Sequence, residues 1–177
     1  WVSDKQLKDI RKRAARLKPN LIGKQAPRIT MADTAGNPVP LYDVDKPVTV
    51  LFFWDSECGH CQDAIPKLRK LYQKENMSDK MEIYAVNIED KKDGWMKYIR
   101  NHEMPWINVQ DRFTDSRFRA YYNIYSTPVI YVLNDDKEIR AKRIGVKQLK
   151  DVVPNVLKRS DRSNRDRIMK KGNSGKG

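Results

Sequence analysis

Cysteine and histidine are scarce in this 177-residue chain, with two of each. Two cysteines exclude a disulfide-laced scaffold. Cys58 and Cys61 have no second pair, and His102 lies far along the chain from them, so the four ligands of a structural zinc site are not in view. No run of about 18 apolar residues occurs, so no segment is expected to span a bilayer. No internal repeat points to a solenoid. The sequence begins at Trp1 rather than Met and shows no charged start, apolar middle and small-residue cleavage site of a secretory signal. We therefore expect a mature fragment or trimmed chain, with any signal or anchor in the part before Trp1.

What is present suits one ordinary domain with extensions. Apolar residues make up 39% of the chain and charged residues 33%. Runs such as Val48–Trp54 are long enough to seed a core. The formal net charge of +13 invites nucleic acid or an anionic surface as partner. Its distribution argues otherwise. Residues 1–30 hold nine Lys/Arg and two Asp/Glu, residues 158–177 hold eight and two, and residues 31–157 hold 19 of each. The basic character belongs to the ends, and no aromatic residue interleaves with Lys8, Arg11, Lys12 and Arg13 to stack on bases. No nucleic-acid partner is expected.

Ser3-Asp4-Lys5-Gln6 has capping-box spacing, and Leu7, Ile10, Ala14 and Leu17 give a narrow apolar stripe ended by Pro19 and Asn20. Residues 1–20 thus read as a basic connecting helix, a linker from a missing N-terminal region. Residues 23–44 read as a β-hairpin turning at Ala35-Gly36-Asn37. Val48–Trp54 suits a buried central strand. A helix through Ile65, Leu68 and Leu71 follows, then a strand over Met81–Ile88, a helix over Gly94–Asn101, a strand over Trp106–Val109 and a short helix over Ser116–Tyr122. Strands Val129–Leu133 and Glu138–Ile144 flank a turn at Asn134–Lys137, and a helix over Lys147–Leu157 closes the domain, bent or interrupted near Pro154. Alternation of strand and helix implies an α/β fold, a central mixed sheet flanked by helices. Residues 159–177 form a basic tail, expected to be disordered or weakly helical.

Cys58-Gly59-His60-Cys61 carries the chemistry. Two thiols separated by two residues close a short disulfide ring with little backbone movement. Where a strand turns into a helix, the first sulfur lies over unpaired N–H groups and the positive end of the macrodipole, which favour a thiolate. Thiolate is the attacking form, and such cysteines ionise below the free thiol's value of about 8.5. Cys61, one turn inside, suits the second step, attack on the mixed disulfide. A structural disulfide is the competing reading, but so short a loop gains little on closure.

The segment Phe53-Trp54-Asp55-Ser56-Glu57-Cys58-Gly59-His60-Cys61, with Pro66 behind it, resembles the active-site segment of the thioredoxin superfamily. Ser126-Thr127-Pro128-Val129 resembles its cis-proline loop, and Gly145 fits as well. Gly23…Ala26-Pro27, the hairpin and the block between Gly94 and Val109 resemble the TlpA-like branch, over residues 21–158. The resemblance implies a thioredoxin-like fold with an N-terminal hairpin and basic helix. It implies Cys58 as nucleophile and Cys61 as resolving thiol. It also implies substrate contacts from Trp54, Thr127 and Pro128, with Trp54 shielding the dithiol. Gly59, His60 and Glu57 would tune the couple. A partly protonated His60 would stabilise the Cys58 thiolate, and Glu57 would act as a base or raise the thiol pKa by repulsion. The superfamily's buried Asp falls here on Phe52, its neighbouring lysine on Ala85, and the Glu of some TlpA-like reductases on Ala64. Proton handling then falls to water, His60, Glu57 or Asp63.

The leading expectation is a thiol–disulfide oxidoreductase of the bacterial periplasm or cell envelope. It would exchange disulfides with protein substrates and an upstream redox partner, with a membrane tether outside this fragment. It would need no cofactor beyond the Cys58–Cys61 disulfide and no metal. The alternative is a metallochaperone-like module holding Cu(I) on the same thiolates. A peroxiredoxin-type peroxidase would need a Thr where Asp55 stands.

Overall fold

The computed structural model describes residues 2–74, 76–89, 92–112 and 116–173. Helix α1 (Asp4–Leu17) opens with the expected capping box: the Gln6 amide donates to Ser3 Oγ at 3.3 Å and the Ser3 amide to Gln6 Oε1 at 2.8 Å. A 3₁₀ turn over Lys18–Asn20 joins it to the domain. There Asn20 is buried, donates to the Tyr121 carbonyl at 3.0 Å and accepts from Lys142 Nζ. Strands β1 (Thr30–Asp33) and β2 (Pro38–Pro40) form the hairpin. Its turn is tied by Asp33 Oδ1, which accepts from the amides of Ala35 and Asn37, and Gly36 supplies the positive φ of 98°.

The remaining elements are β3 (Val48–Trp54), α2 (Gly59–Tyr72), α3 (Met77–Lys80), β4 (Met81–Asn87), α4 (Lys92–Asn101), β5 (Ile107–Gln110), α5 (Phe118–Tyr121), β6 (Val129–Asn134), β7 (Ile139–Lys142) and α6 (Val146–Asn173). The seven strands lie in the order β2-β1-β5-β4-β3-β6-β7. Strand β3 runs parallel to β4 and antiparallel to β6, and β4 runs parallel to β5. All seven residues of β3 are buried, because the sheet is covered on both faces. Strand alternation sends Val48, Val50, Phe52 and Trp54 to the core that contains α2 residues such as Ile65 and Leu68, and Leu51 and Phe53 to the core holding Phe118 and Tyr122. Phe52 pairs in register with Ala85 on β4 and Ile130 on β6, and all three are buried in the first core. The layer beneath α2 is apolar at this register across three strands.

Three elements depart from the sequence expectation. The second hairpin strand stops at Pro40, and Leu41–Asp43 is a 3₁₀ turn, since prolines at 38 and 40 cannot donate to a ladder and suit only a short edge strand. Helix α3 was not anticipated from so short a segment. Helix α6 neither stops at Leu157 nor breaks at Pro154: it runs to Asn173, so the stretch from 159 expected to be disordered or weakly helical is helical to that point. No glycine or proline lies between Asn155 and Lys171 to end it. The last four residues of the expected tail lie outside the described residues.

Because Phe52 is fully buried at the centre of this layer, Phe52→Ala is expected to cost about 3–5 kcal/mol in urea unfolding. A loss below about 1 kcal/mol would show that the layer is not close-packed.

Candidate active site

Strand β3 ends at Trp54 and α2 begins at Gly59, so residues 55–58 make a sharp passage from sheet to helix. Asp55 Oδ1 accepts from the Glu57 amide at 2.8 Å, and the Asp55 carbonyl from the Cys58 amide at 3.3 Å. The Gln62 side chain returns to the Ser56 carbonyl at 3.0 Å. Glu89, two residues past β4, holds the passage from the far side: its carboxylate accepts from the Ser56 amide and bonds to the Asp55 carboxyl. The Glu89 amide donates to Asn87 Oδ1 at 3.0 Å, and Gln110 Nε2 donates to the same oxygen at 3.2 Å. Burial raises both carboxyls. For Glu89 the bonds from Ser56, Asp55 and Asn87 outweigh it and leave the carboxyl below its ordinary range. Asp55, facing that charge, lies above its own. Two facing carboxyls favour sharing one proton over carrying two charges.

Cys58 is the N-cap of α2, and its carbonyl accepts from the amides of Cys61 (2.9 Å) and Gln62 (3.0 Å). Its half-buried Sγ lies 3.4 Å from the Thr127 carbonyl. Burial raises its pKa. Hydrogen bonds from the side chains of Thr127 and Cys61 and the amides of Cys61 and His60 overcome that and hold it below the ordinary thiol range. Cys61 is fully buried beside Trp54 and Ile65 in the α2 core. Burial pushes its thiol up to about 12, and the Cys58 sulfur adds to the rise, against the lowering effect of the Asp55 amide and the Thr127 side chain. One helical turn separates a sulfur poised to ionise from one held as thiol.

The Thr127–Pro128 bond is cis and stands against the first sulfur. His60, Ser126 and Pro128 line a groove of about 720 Å³ that continues to Gly145. The structure brings Cys58, Cys61, Thr127 and Pro128 together. Gly59 opens the helix with open space around it. Glu57 and His60 are exposed beside the dithiol, and neither side chain makes a hydrogen bond or ion pair among the described residues. Trp54 departs from its expected place at the substrate face. Position 54 points into the α2 core, where the indole is fully buried and packs on Tyr98 with ring centroids 5.3 Å apart, so it offers a substrate no surface. His102, read from the sequence as a surface residue, is exposed and stacks on Tyr98 at 4.0 Å. Asp55 and Glu89 are the residues that sequence reasoning passed over as a pair. Glu89 lies on a different element, and only strand pairing brings it to Ser56.

A mixed sheet covered by helices on both faces, a CxxC at a strand–helix junction and a cis-proline loop over the first sulfur define a thioredoxin-like fold. The AhpC/TSA family matches residues 22–142, and the chain belongs to that family. Among solved structures, a domain of a possible thiol-disulfide isomerase from Cytophaga hutchinsonii is 46% identical, with a TM-score of 0.73 over 79% of this chain and 95% of that one. The thioredoxin domain of a thiol-disulfide oxidoreductase from Bacteroides vulgatus is 27% identical, with a TM-score of 0.70 over 77% and 98%. The thiol-disulfide oxidoreductase ResA of Bacillus cereus is 23% identical over 78% of each chain.

Two outcomes test this geometry. Glu89→Ala strands the Ser56 amide and the Asp55 carboxyl and is expected to cost roughly 1–3 kcal/mol in denaturant unfolding, with Glu89→Gln recovering most of it. An Ala variant as stable as the parent would remove Glu89 from the clamp. The raised Cys61 pKa also gives a signed pH dependence. Between its ordinary value of 9.0 and about 12, the unfolded chain releases a proton that the folded chain keeps. Stability of the reduced protein therefore falls as pH rises through that window. From about pH 9 to 10, below the ordinary tyrosine range, Cys61→Ala should flatten the fall in stability curves. An unchanged slope would contradict a buried, protonated Cys61.

Proposed function

We propose that this chain is a thiol–disulfide oxidoreductase acting on protein substrates through Cys58 and Cys61. The observation that carries the reading is the division of the two sulfurs, one at a helix N-cap with a lowered pKa and one buried with a raised pKa. The names of the relatives in Cytophaga, Bacteroides and Bacillus support it. The Cys58 thiolate attacks one sulfur of a substrate disulfide. A Cys58–substrate bond forms, and the other substrate sulfur leaves as a thiolate. Cys58 is then uncharged, which removes the part of the Cys61 rise that its sulfur causes, while the Asp55 amide and Thr127 side chain remain to stabilise a Cys61 thiolate. Cys61 passes its proton to the departing substrate thiolate and attacks Cys58. The Cys58–Cys61 disulfide forms, the second substrate sulfur is released, and the substrate has gained two electrons. Run backwards, the same steps oxidise a dithiol, and an upstream redox partner resets the couple.

In this reading Thr127 and Pro128 seat the extended substrate segment, Trp54 walls the dithiol from water inside the core, and Gly59, His60 and Glu57 tune the exposed sulfur. Asp55, where a peroxidase of the peroxiredoxin type would carry Thr, accepts from the Glu57 amide and bonds to Glu89, which favours disulfide over peroxide chemistry. We place the protein in the bacterial periplasm or cell envelope on its likeness to the TlpA-like branch. No helix among the described residues is long and apolar enough to cross a membrane.

Insulin reduction with dithiothreitol as donor tests the proposal. Turnover is expected from the parent chain, loss of at least about a hundredfold from Cys58→Ser, and accumulation of mixed disulfides on Cys58 in Cys61→Ser. Intact turnover in Cys61→Ser would refute the two-step scheme. Hydroperoxide consumption, or tight stoichiometric Cu(I) binding without insulin reduction, would overturn the reading in favour of a peroxidase or a copper carrier.

A further inference from the structure

The groove beside the dithiol carries an excess of positive charge. Three cations, Lys67 on α2, Arg143 just past β7 and Lys147 at the start of α6, line it with one carboxylate, Asp63. All four side chains are exposed, and among the described residues none is in an ion pair. The Arg143 guanidinium donates to the Asn123 carbonyl, and the Arg143 amide to the Ile130 carbonyl at 2.7 Å, so this cation is fixed at the groove wall. Residues 31–157 as a whole balance 19 basic against 19 acidic side chains, so this excess is local. The groove's apolar walls include Val129 and Ile144, and its mouth reaches His60 and Pro128, beside the reactive sulfur. Tyr125, next in the chain to groove residue Ser126, is 76% exposed.

We propose that this groove selects substrates by charge: its occupant is an extended protein segment with Asp or Glu flanking the cysteine that Cys58 attacks. The inference rests on the oxidoreductase reading and adds its substrate class. Cysteine bound at Cys58 places the flanking residues of an extended segment within the groove, where Lys67, Arg143 and Lys147 face them. Low-dielectric walls strengthen such pairs relative to open surface, and the cationic patch raises the encounter rate of acidic partners. Basic flanks meet the same three cations and are disfavoured.

Three disulfide-linked peptides test this, identical except for flanks of Glu/Asp, Ser or Lys/Arg, reduced by the full chain with dithiothreitol as donor. At low salt kcat/KM is expected to fall about tenfold from the acidic to the basic peptide, mainly through KM, and the difference to shrink as ionic strength rises. The double variant Lys67→Glu/Lys147→Glu should reverse the order, which separates the groove from the basic ends of the chain. Equal kcat/KM for the acidic and basic peptides at low salt would overturn the charge selection while leaving the oxidoreductase reading intact. So would an acidic preference unchanged in the double variant. If none of the three peptides is reduced, the oxidoreductase reading itself fails and the selection with it.

Discussion

Strand β3 and helix α2 meet within four residues, and that short passage sets the surroundings of both sulfurs. Cys58 falls at the N-cap, where backbone amides have no partner inside the helix. Cys61 falls one turn later, on the helix face that packs against the sheet. A longer loop would leave both thiols in water, and neither would differ much from a free cysteine. The fold thus converts a sequence spacing into a difference of dielectric and hydrogen bonding between two chemically identical groups.

The passage has to be held, and it is held from both sides. Gln62 reaches back to Ser56 from within the helix, and Glu89 reaches across from the end of β4, itself steadied by Asn87 and Gln110. Beneath the helix Phe52, Ala85 and Ile130 form an apolar layer in the sheet. The carboxyls of Asp55 and Glu89 meet beside the passage, past the ends of β3 and β4, rather than under the helix. The groove that reaches His60 and Pro128 carries Lys67, Arg143 and Lys147, so carboxyls border the passage while cations line the proposed substrate path.

Much of this was legible in the residues. The run Val48–Trp54 announced a strand buried on both faces, the capping residues announced α1, and Cys58–Cys61 and Thr127-Pro128 were singled out as segments that the fold brings together. The segment charges place the basic character at the two ends and leave residues 31–157 balanced. What the sequence could not convey depends on pairing across strands. Trp54 reads as an aromatic beside the active site, and only the register of β3 shows that it faces inward. Glu89 sits more than thirty residues from Ser56, and Lys67, Arg143 and Lys147 come from two helices and the end of a strand. Their convergence follows from tertiary packing, which leaves no local periodicity to read. The length of α6 was missed for another reason: charged residues support a solvated helix as well as a disordered tail, and composition does not separate the two.

The proposed mechanism turns on the two thiols being unequal. Limiting iodoacetamide added to the reduced chain across a pH series, with each adduct located by mass spectrometry, measures that inequality. The proposed mechanism requires modification at Cys58, rising with an apparent pKa below the ordinary thiol range, while Cys61 stays unmodified until far more alkaline pH. Comparable labelling of both cysteines, or labelling of Cys58 only above the ordinary thiol range, would contradict it.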